Sequence, residues 1–161
     1  MGFLPIIIAL LAFALLLIMV NISSIQARQQ SLGLALFSVC QTAKSRHALL
    51  NRLQGLQENL LCPQLPANHR LLPGMMPEVI SFIKTEWHSL NEADFYLKQS
   101  KATPESRRYL AALEILNHRQ RTNLRTFERK VREYNRLLAT YPTALVAFLY
   151  RIKPIRLLAA A

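Results

Sequence analysis

The first stretch of the chain is apolar and carries no charge. No charged side chain precedes Arg28, and residues 6–20 are apolar without interruption. A helix that crosses a bilayer needs about 20 largely apolar residues at a rise of about 1.5 Å each. The pattern therefore predicts a transmembrane helix that contacts lipid through residues 3–25, within an anchor segment of residues 1–27.

Three interpretations of this segment compete. A cleaved signal peptide needs a basic N-terminal region and a shorter apolar core, and residues 23–27 offer only a poor cleavage site. Gly2 and Phe3 before an apolar helix suggest a pilin-like signal, but Ile7 stands where such proteins resemble one another in having a Glu. An uncleaved signal anchor fits the pattern best.

The remainder of the chain has helical spacing throughout. From Ile25 onward apolar residues recur at steps of three and four or their multiples, and no stretch alternates as a strand does. The first helix is expected to continue over about 28–62, with Arg46 and Gln57 interrupting its apolar seam. The seam residues are Leu32, Leu36, Val39, Ala43, Leu50, Leu53 and Leu60.

Prolines together with Gly74 predict a loop over 63–76, either a simple connection or a binding segment. Helices follow over about 77–101 and 104–141, and a short apolar helix over 143–150. The second seam consists of Ile80, Ile83, Trp87, Leu90 and Leu97, interrupted by Asp94. The third consists of Tyr109, Leu113, Leu116, Leu124, Phe127, Val131, Tyr134, Leu138 and Tyr141, interrupted by Gln120.

These elements predict an all-α fold in which an N-terminal transmembrane helix continues into an antiparallel bundle of long helices. The bundle occupies residues 28–150, and residues 151–161 form a basic and apolar C-terminal tail. Positive charge follows the anchor but does not precede it, so the N-terminus is expected outside and the body in the cytoplasm. The residues that carry this charge are Arg28, Lys44, Arg46 and Arg52.

Composition limits the class of protein. The chain has 161 residues, of which 52% are hydrophobic, and a formal net charge of +11. Its length allows one domain of ordinary size. Disorder needs low hydrophobicity, so the apolar content excludes it, and four glycines argue against a Gly-rich phosphate loop.

The sequence contains no catalytic motif, whether nucleophile elbow, phosphate loop or dinucleotide fingerprint. We therefore expect a protein that is not an enzyme and holds no cofactor. His47, His88 and His118 lie on three predicted helices, and none has a second ligand at the spacing of a helical zinc site. Exposed or capping roles are favoured over a metal site.

Two cysteines fall on the predicted first helix. At about 1.5 Å per residue, Cys40 and Cys62 would be about 33 Å apart, whereas a disulfide requires Cα atoms within about 7 Å. We expect free thiols, in agreement with a cytoplasmic body.

The third predicted helix has the largest excess of positive charge. Nine basic and three acidic residues lie between Arg107 and Arg136. The candidate residues for binding an anion or a partner are Arg119, Arg121, Arg125, Arg129 and Arg132.

Three interpretations of this basic helix remain open. The first is a solvated face whose Arg stems cover apolar edges. The second is attraction to anionic lipid headgroups, aided by Arg151, Lys153 and Arg156 in the tail. The third is nucleic acid, which is disfavoured because the sequence has no known module and no exposed aromatic set for stacking.

Two stretches carry a further pattern. Residues 35–53 contain a basic cluster followed by a Leu-rich step, at Lys44, Arg46, His47, Leu49 and Leu53. Residues 131–154 contain a V-R-x-Y-N helix, an aromatic-Pro break, an apolar turn and a closing Lys-Pro. Their positions are Val131, Arg132, Tyr134, Asn135, Tyr141, Pro142, Leu145, Val146, Ala147, Lys153 and Pro154. Together they resemble the LemA family of bacterial membrane proteins.

The resemblance implies an anchored helical bundle with its N-terminus outside, and it implies no activity. The chain departs from the family at Asn51, where a proline is usual, and at Arg151 and Ile152, where a Gly-Phe pair is usual. Residues 54–112 are shorter than the family's middle and unlike it. The chain therefore looks like a divergent, shortened member.

We expect a protein of the bacterial inner membrane that acts by binding, as a scaffold or adaptor for other membrane or cytoplasmic proteins. The alternative is a membrane-tethered basic module for anionic lipid or nucleic acid. The sequence names no protein partner and leaves homo-oligomerisation open.

Overall fold

The structure is a computed structural model that describes residues 3–54, 62–63, 71, 75–99 and 106–156. These residues form helices and no strand. The helices are α1 (Leu4–Gln54), α2 (Met76–Gln99), α3 (Ser106–Ala139) and α4 (Thr143–Leu149). The predicted all-helical fold with one long apolar N-terminal helix is confirmed.

α1 has an exposed apolar half and a packed half. Every residue from Phe3 to Leu17 is exposed, and full burial begins at Ile25. Only 6% of the most apolar window of α1 is buried, which separates it from the core helix of a soluble protein. By length and composition, α1 is long and apolar enough to cross a membrane.

The packed half of α1 runs antiparallel to α3. Residues later in α1 meet residues earlier in α3, and polar side chains mark the register. The bonds are Arg28 to Glu133 at 3.2 Å, Lys130 to Ser31 at 2.6 Å, and Asn123 to Thr42 at 2.9 Å. α2 packs against α3, and α4 packs against both α3 and α1. The Thr143 hydroxyl donates to the Asn21 side-chain oxygen at 2.7 Å, which brings α4 beside the start of the packed half.

Most described seam positions lie in the core, because each helix can bury only the face that its neighbours cover. Tyr109 and Tyr141 are corrections to this pattern, since they are 45% and 80% exposed. Tyr109 lies in the first turn of α3, opposite the last turn of α1, and Tyr141 follows the end of α3. The side chains predicted at Leu53, Leu60 and Leu97 lie outside the described residues.

The end of the first helix is also corrected. α1 ends at Gln54, and Cys62 is not helical. The Cys62 thiol donates to the backbone carbonyl of Cys40 at 3.9 Å, so the expected separation of about 33 Å for a continuous helix is wrong. The chain returns along α1, and both cysteines are free thiols. Most of the predicted 63–76 loop lies outside the described residues, as do residues 157–161 of the tail.

Candidate functional site

A buried polar layer joins the three long helices. Arg46 of α1, Glu86 of α2 and Gln120 of α3 have 0% relative exposure. Along α1 and α3 this layer separates the main apolar core from a small cluster, formed by Leu50, Ala93 and Leu113. At this level the polar side chains of Arg46, Glu86 and Gln120 fill the space between the helices, whereas apolar side chains fill it above and below.

Glu86 is the centre of this layer. Its Oε2 accepts from Gln120 Nε2 at 2.9 Å and lies 3.3 Å from Arg46 Nη2. Its Oε1 lies 3.1 Å from His47 Nε2. Arg46 Nη2 also donates to the Ser89 hydroxyl at 2.6 Å. One carboxylate thus collects polar groups from two neighbouring helices.

The layer is not fully satisfied. Arg46 Nε and Nη1 and Gln120 Oε1 are buried and have no hydrogen-bond partner in the described part of the chain. Burial lowers the pKa of the Arg46 guanidinium, and the carboxylates of Glu86 and Asp94 oppose this shift. A buried ion pair of this kind adds little net stability, because the desolvation of both charges offsets their attraction. Arg46, Glu86 and Gln120 do not line the cavity described below, and we assign this layer a structural role.

The three histidines considered for a metal lie in different environments. His47 is beside Glu86 in the buried layer, whereas His88 is exposed and pairs with Glu92 at 3.2 Å. His118 is exposed on α3. Among the described residues no three His, Cys, Asp or Glu side chains converge on a metal site.

The five candidate arginines do not form one surface. Arg121 is partly buried and donates to Asp94, which also accepts from Asn117. Arg119 is exposed but lies on another side of α3, because its spacing to Arg125 does not match the helical repeat. The remaining candidates join Arg136 in a basic row, which consists of Arg125, Arg129, Arg132 and Arg136 at spacings of four, three and four.

The basic row runs along the bundle axis, so its residues lie at different heights along α1. Asn123 of α3 bonds to Ser38 and Thr42, which lie about 20 to 26 Å along α1 from Ile25. Electrostatic attraction in physiological salt is screened over about 8 Å. In a bundle that rises from the membrane along α1, Arg125 is therefore beyond the reach of the headgroups around its own anchor. Glu133 also pairs with Arg129 at 4.0 Å and reduces the charge of the row.

A continuous exposed face follows α1 from its apolar half into its packed half. We call it the outer α1 stripe. It consists of Leu16, Val20, Ser23, Ala27, Gln30, Leu34, Phe37 and Gln41, all exposed and spaced alternately by four and three residues. An average step of 3.5 residues is the repeat by which one helix packs along another. The stripe carries no charge, and Leu34 and Phe37 are 50% and 47% exposed.

A cavity of about 980 Å³ lies near the end of α1's apolar half. One wall is the C-terminal segment 150–156, which α3 holds through two hydrogen bonds. The side chain of Asn135 donates to the Ile155 carbonyl at 2.7 Å and accepts from the Ile155 N–H at 2.9 Å. Gln29 donates to the Tyr134 hydroxyl at 3.3 Å at the opposite side. Burial raises the pKa of Tyr134, so its phenol stays neutral.

Sequence reasoning missed both the buried layer and the cavity. Arg46 and Gln120 of this layer, and Asp94 outside it, were visible as polar interruptions of three seams, and their coincidence on neighbouring helices was the available signal. Glu86 carried no such signal because it lies between seam positions. The cavity depends on the return of residues 150–156 along α3, which local periodicity does not encode.

The fold and these surfaces define an all-helical protein whose described residues include one helix able to span a membrane. No protein-family model, no curated protein and no solved structure matches the chain.

Proposed function

We propose that this chain is a single-pass membrane protein that acts by binding, as a scaffold or adaptor for other membrane or cytoplasmic proteins. α1 serves as an uncleaved anchor through residues 3–25, and the body lies on the cytoplasmic side of a bacterial inner membrane. The exposed apolar half of α1 supports the anchor, since an uncovered apolar surface of this extent needs lipid around it.

The outer α1 stripe is the observation that carries the proposal. A helix of another membrane protein can follow it from the bilayer to Gln41 without meeting a charge. Ser23 and Ala27 let backbones approach closely near the membrane surface, where small residues favour helix association. Leu34 and Phe37 supply exposed apolar area beyond it.

The resemblance to the LemA family supports the same role. Asn135, in the V-R-x-Y-N motif, holds Ile155 next to the closing Lys-Pro, so two parts of the second pattern meet in space. This agreement favours an anchored antiparallel bundle of LemA type. It adds no activity to the proposal.

The test is site-specific photocrosslinking in the native membrane. A photoreactive phenylalanine analogue at Phe37 should capture a discrete protein, and capture should persist at high salt because the stripe is uncharged. The same analogue at Tyr109 is the matched control, since Tyr109 is an aromatic residue of similar exposure at the far end of α3. Leu34→Gln should reduce capture at Phe37 while leaving unfolding unchanged within about 0.5 kcal/mol.

Equal capture at Phe37 and Tyr109, or none at either, would overturn the scaffold role of the stripe. Capture of a second copy of this chain alone would replace the adaptor by a homo-oligomer. A metal- or nucleotide-dependent turnover by the purified protein would contradict the non-enzymatic proposal itself.

A second candidate function rests on the basic row. Its four exposed arginines support a tethered module for an anionic partner. Arg125 lies beyond the screening length from the anchor's own membrane and suits nucleic acid or an opposed anionic surface. Arg132, next to Glu133 and so level with Arg28, can also meet the adjoining headgroups.

A further inference from the structure

We propose that the cavity behind residues 150–156 binds the headgroup of an anionic phospholipid from the membrane that holds α1. The inference rests on the anchor in the proposed function but not on the outer α1 stripe. The shared chemistry is a phosphate ester recognised by arginine and lysine, beside an apolar surface that contacts the glycerol and upper acyl region.

The wall of the cavity is positively charged. Arg151, Lys153 and Arg156 line it, and none of the described lining residues is acidic. These three side chains are exposed and make no ion pair or hydrogen bond with the described residues. The neutral phenol of Tyr134 adds no negative charge. A monoanionic phosphate diester therefore meets positive charge without a competing carboxylate.

The remaining lining gives the cavity an amphipathic character. Its apolar side chains include Leu32, Leu71, Met76, Ile80 and Ile152. Its volume of about 980 Å³ is at the upper end of the usual range for small-molecule sites, about 300 to 1,000 Å³. A soluble phosphate fills little of this space, whereas a phospholipid headgroup with its glycerol uses both the charged and the apolar wall.

The position of the cavity selects lipid as the source of the phosphate. Gln29 and Leu32 line it and lie about 6 and 10 Å along α1 from Ile25, where the expected lipid-contacting segment ends. This distance is comparable with the screening length of about 8 Å and with the depth of the headgroup region. The cavity is thus at the height of the headgroups, whereas Arg125, at the far end of the basic row, lies beside Asn123 at the level of Ser38 and Thr42.

The backbone at Arg151 is a separate observation. The backbone dihedral angle φ of Arg151 is 52°, which lies in the left-handed region. Arg151 follows the end of α4. Its N–H donates to the Phe148 carbonyl and the N–H of Ile152 donates to the Ala147 carbonyl, a helix end at which glycine is the usual residue. A strained arginine held at the cavity wall points to a use of its side chain.

The experiment measures lipid retention by the full-length protein in neutral detergent, using native mass spectrometry. The probes are dioctanoyl phosphatidylglycerol, dioctanoyl phosphatidylcholine and glycerol phosphate. Phosphatidylglycerol should bind most tightly. Its affinity should fall by about a hundredfold in the triple variant Arg151→Gln, Lys153→Gln, Arg156→Gln. Each basic residue near an anionic headgroup contributes a factor of about five to the affinity.

The control is the triple variant Arg52→Gln, Arg107→Gln, Arg108→Gln, which removes the same charge from exposed positions at the far end. Its affinity should equal that of the unchanged protein. Equal losses in both triple variants, or no preference over phosphatidylcholine, would overturn the site. Glycerol phosphate binding as tightly as phosphatidylglycerol would overturn lipid as its source.

Two further measurements separate this inference from the scaffold proposal and from misfolding. Crosslinking at Phe37 should be unchanged in the cavity variant. If the unchanged protein does not retain phosphatidylglycerol while Phe37 still captures its partner, the cavity proposal is rejected and the scaffold proposal stands. Arg151→Gly keeps the left-handed backbone while removing one charge, and its affinity should fall severalfold. An Arg151→Gly variant that is folded and retains full affinity would contradict the role of Arg151.

Discussion

The carboxylate of Glu86 compensates the guanidinium of Arg46 inside the protein. Neither group reaches solvent, and the Arg46 atoms Nε and Nη1 have no partner among the described residues. The pair therefore stays buried at a desolvation cost that its own attraction barely offsets. Removing either Arg46 or Glu86 alone should therefore lower the free energy of unfolding much more than replacing both.

Glu86→Ala should lower the free energy of unfolding by about 3–5 kcal/mol, because Arg46 is left buried without its counter-charge. Urea unfolding followed by circular dichroism in detergent measures it. Glu92→Ala, at an exposed carboxylate of the same helix, is the control and should change stability by less than about 0.5 kcal/mol. A loss below about 1 kcal/mol in Glu86→Ala would contradict a compensating role.

The double variant Arg46→Met, Glu86→Leu sharpens this prediction. Replacing a buried ion pair by apolar residues of similar volume is often neutral or stabilising. We expect the double variant to unfold at a higher urea concentration than Glu86→Ala. If it is the less stable of the two, the layer has a role beyond charge compensation.

Arg151→Gly should raise the free energy of unfolding by about 1 kcal/mol, since glycine adopts the left-handed conformation without a Cβ clash. Lys153→Gly is the control, because Lys153 does not have positive φ and glycine there adds only unfolded-state freedom. Thermal unfolding of the two variants compares them. Stabilisation together with weaker lipid retention would show that Arg151 is kept for its side chain; a destabilised Arg151→Gly would contradict the strain argument.

At this scale the sequence indicated part of the buried layer. Arg46, Asp94 and Gln120 interrupt apolar seams, which is a local signal that a polar group faces the core. Their partners Glu86 and Arg121 could not be assigned, because the pairing depends on the rotation and height at which separate helices meet.

α3 is the element whose two faces have different roles. One face carries the core positions, and the opposite face carries the basic row. The spacing of four, three and four places Arg125, Arg129 and Arg132 together, whereas Arg119 and Arg121 lie elsewhere on the helix.

The triple variant Arg125→Gln, Arg129→Gln, Arg132→Gln should reduce binding of a single-stranded oligonucleotide. The plot of log affinity against log salt should become shallower by about 2, since each lost phosphate contact contributes about 0.7 for single strands. Fluorescence anisotropy across a salt series measures this slope. The Arg52, Arg107 and Arg108 variant is the control, and a flat salt response in the unchanged protein would dismiss the basic-row function.

The whole molecule extends from an apolar rod to a packed body. α1 contributes to both parts, so in the proposed anchored protein the position and orientation of the body follow from how the first half of α1 is placed in the membrane. The proposed cytoplasmic body follows from positive charge after the anchor and none before it.

Lys84→Cys tests this orientation. Lys84 is exposed on α2, so an introduced thiol there should react with a membrane-impermeant maleimide only after spheroplasts are permeabilised. The unchanged protein is the control, because burial raises the pKa of both Cys40 and Cys62 and keeps these thiols unreactive. Labelling of Lys84→Cys in intact spheroplasts would place the body outside and reject the proposed topology.

The sequence by itself determined the helical elements and the apolar half of α1. These depend on hydrophobic spacing over three or four residues and on continuous apolar length, both of which are local. Only the tertiary structure decided that Cys62 returns to Cys40, that Arg46 and Glu86 meet, and that residues 150–156 close a cavity. Each of these depends on chain segments that are distant in sequence, and their juxtaposition is set by helix register and by the turns between helices.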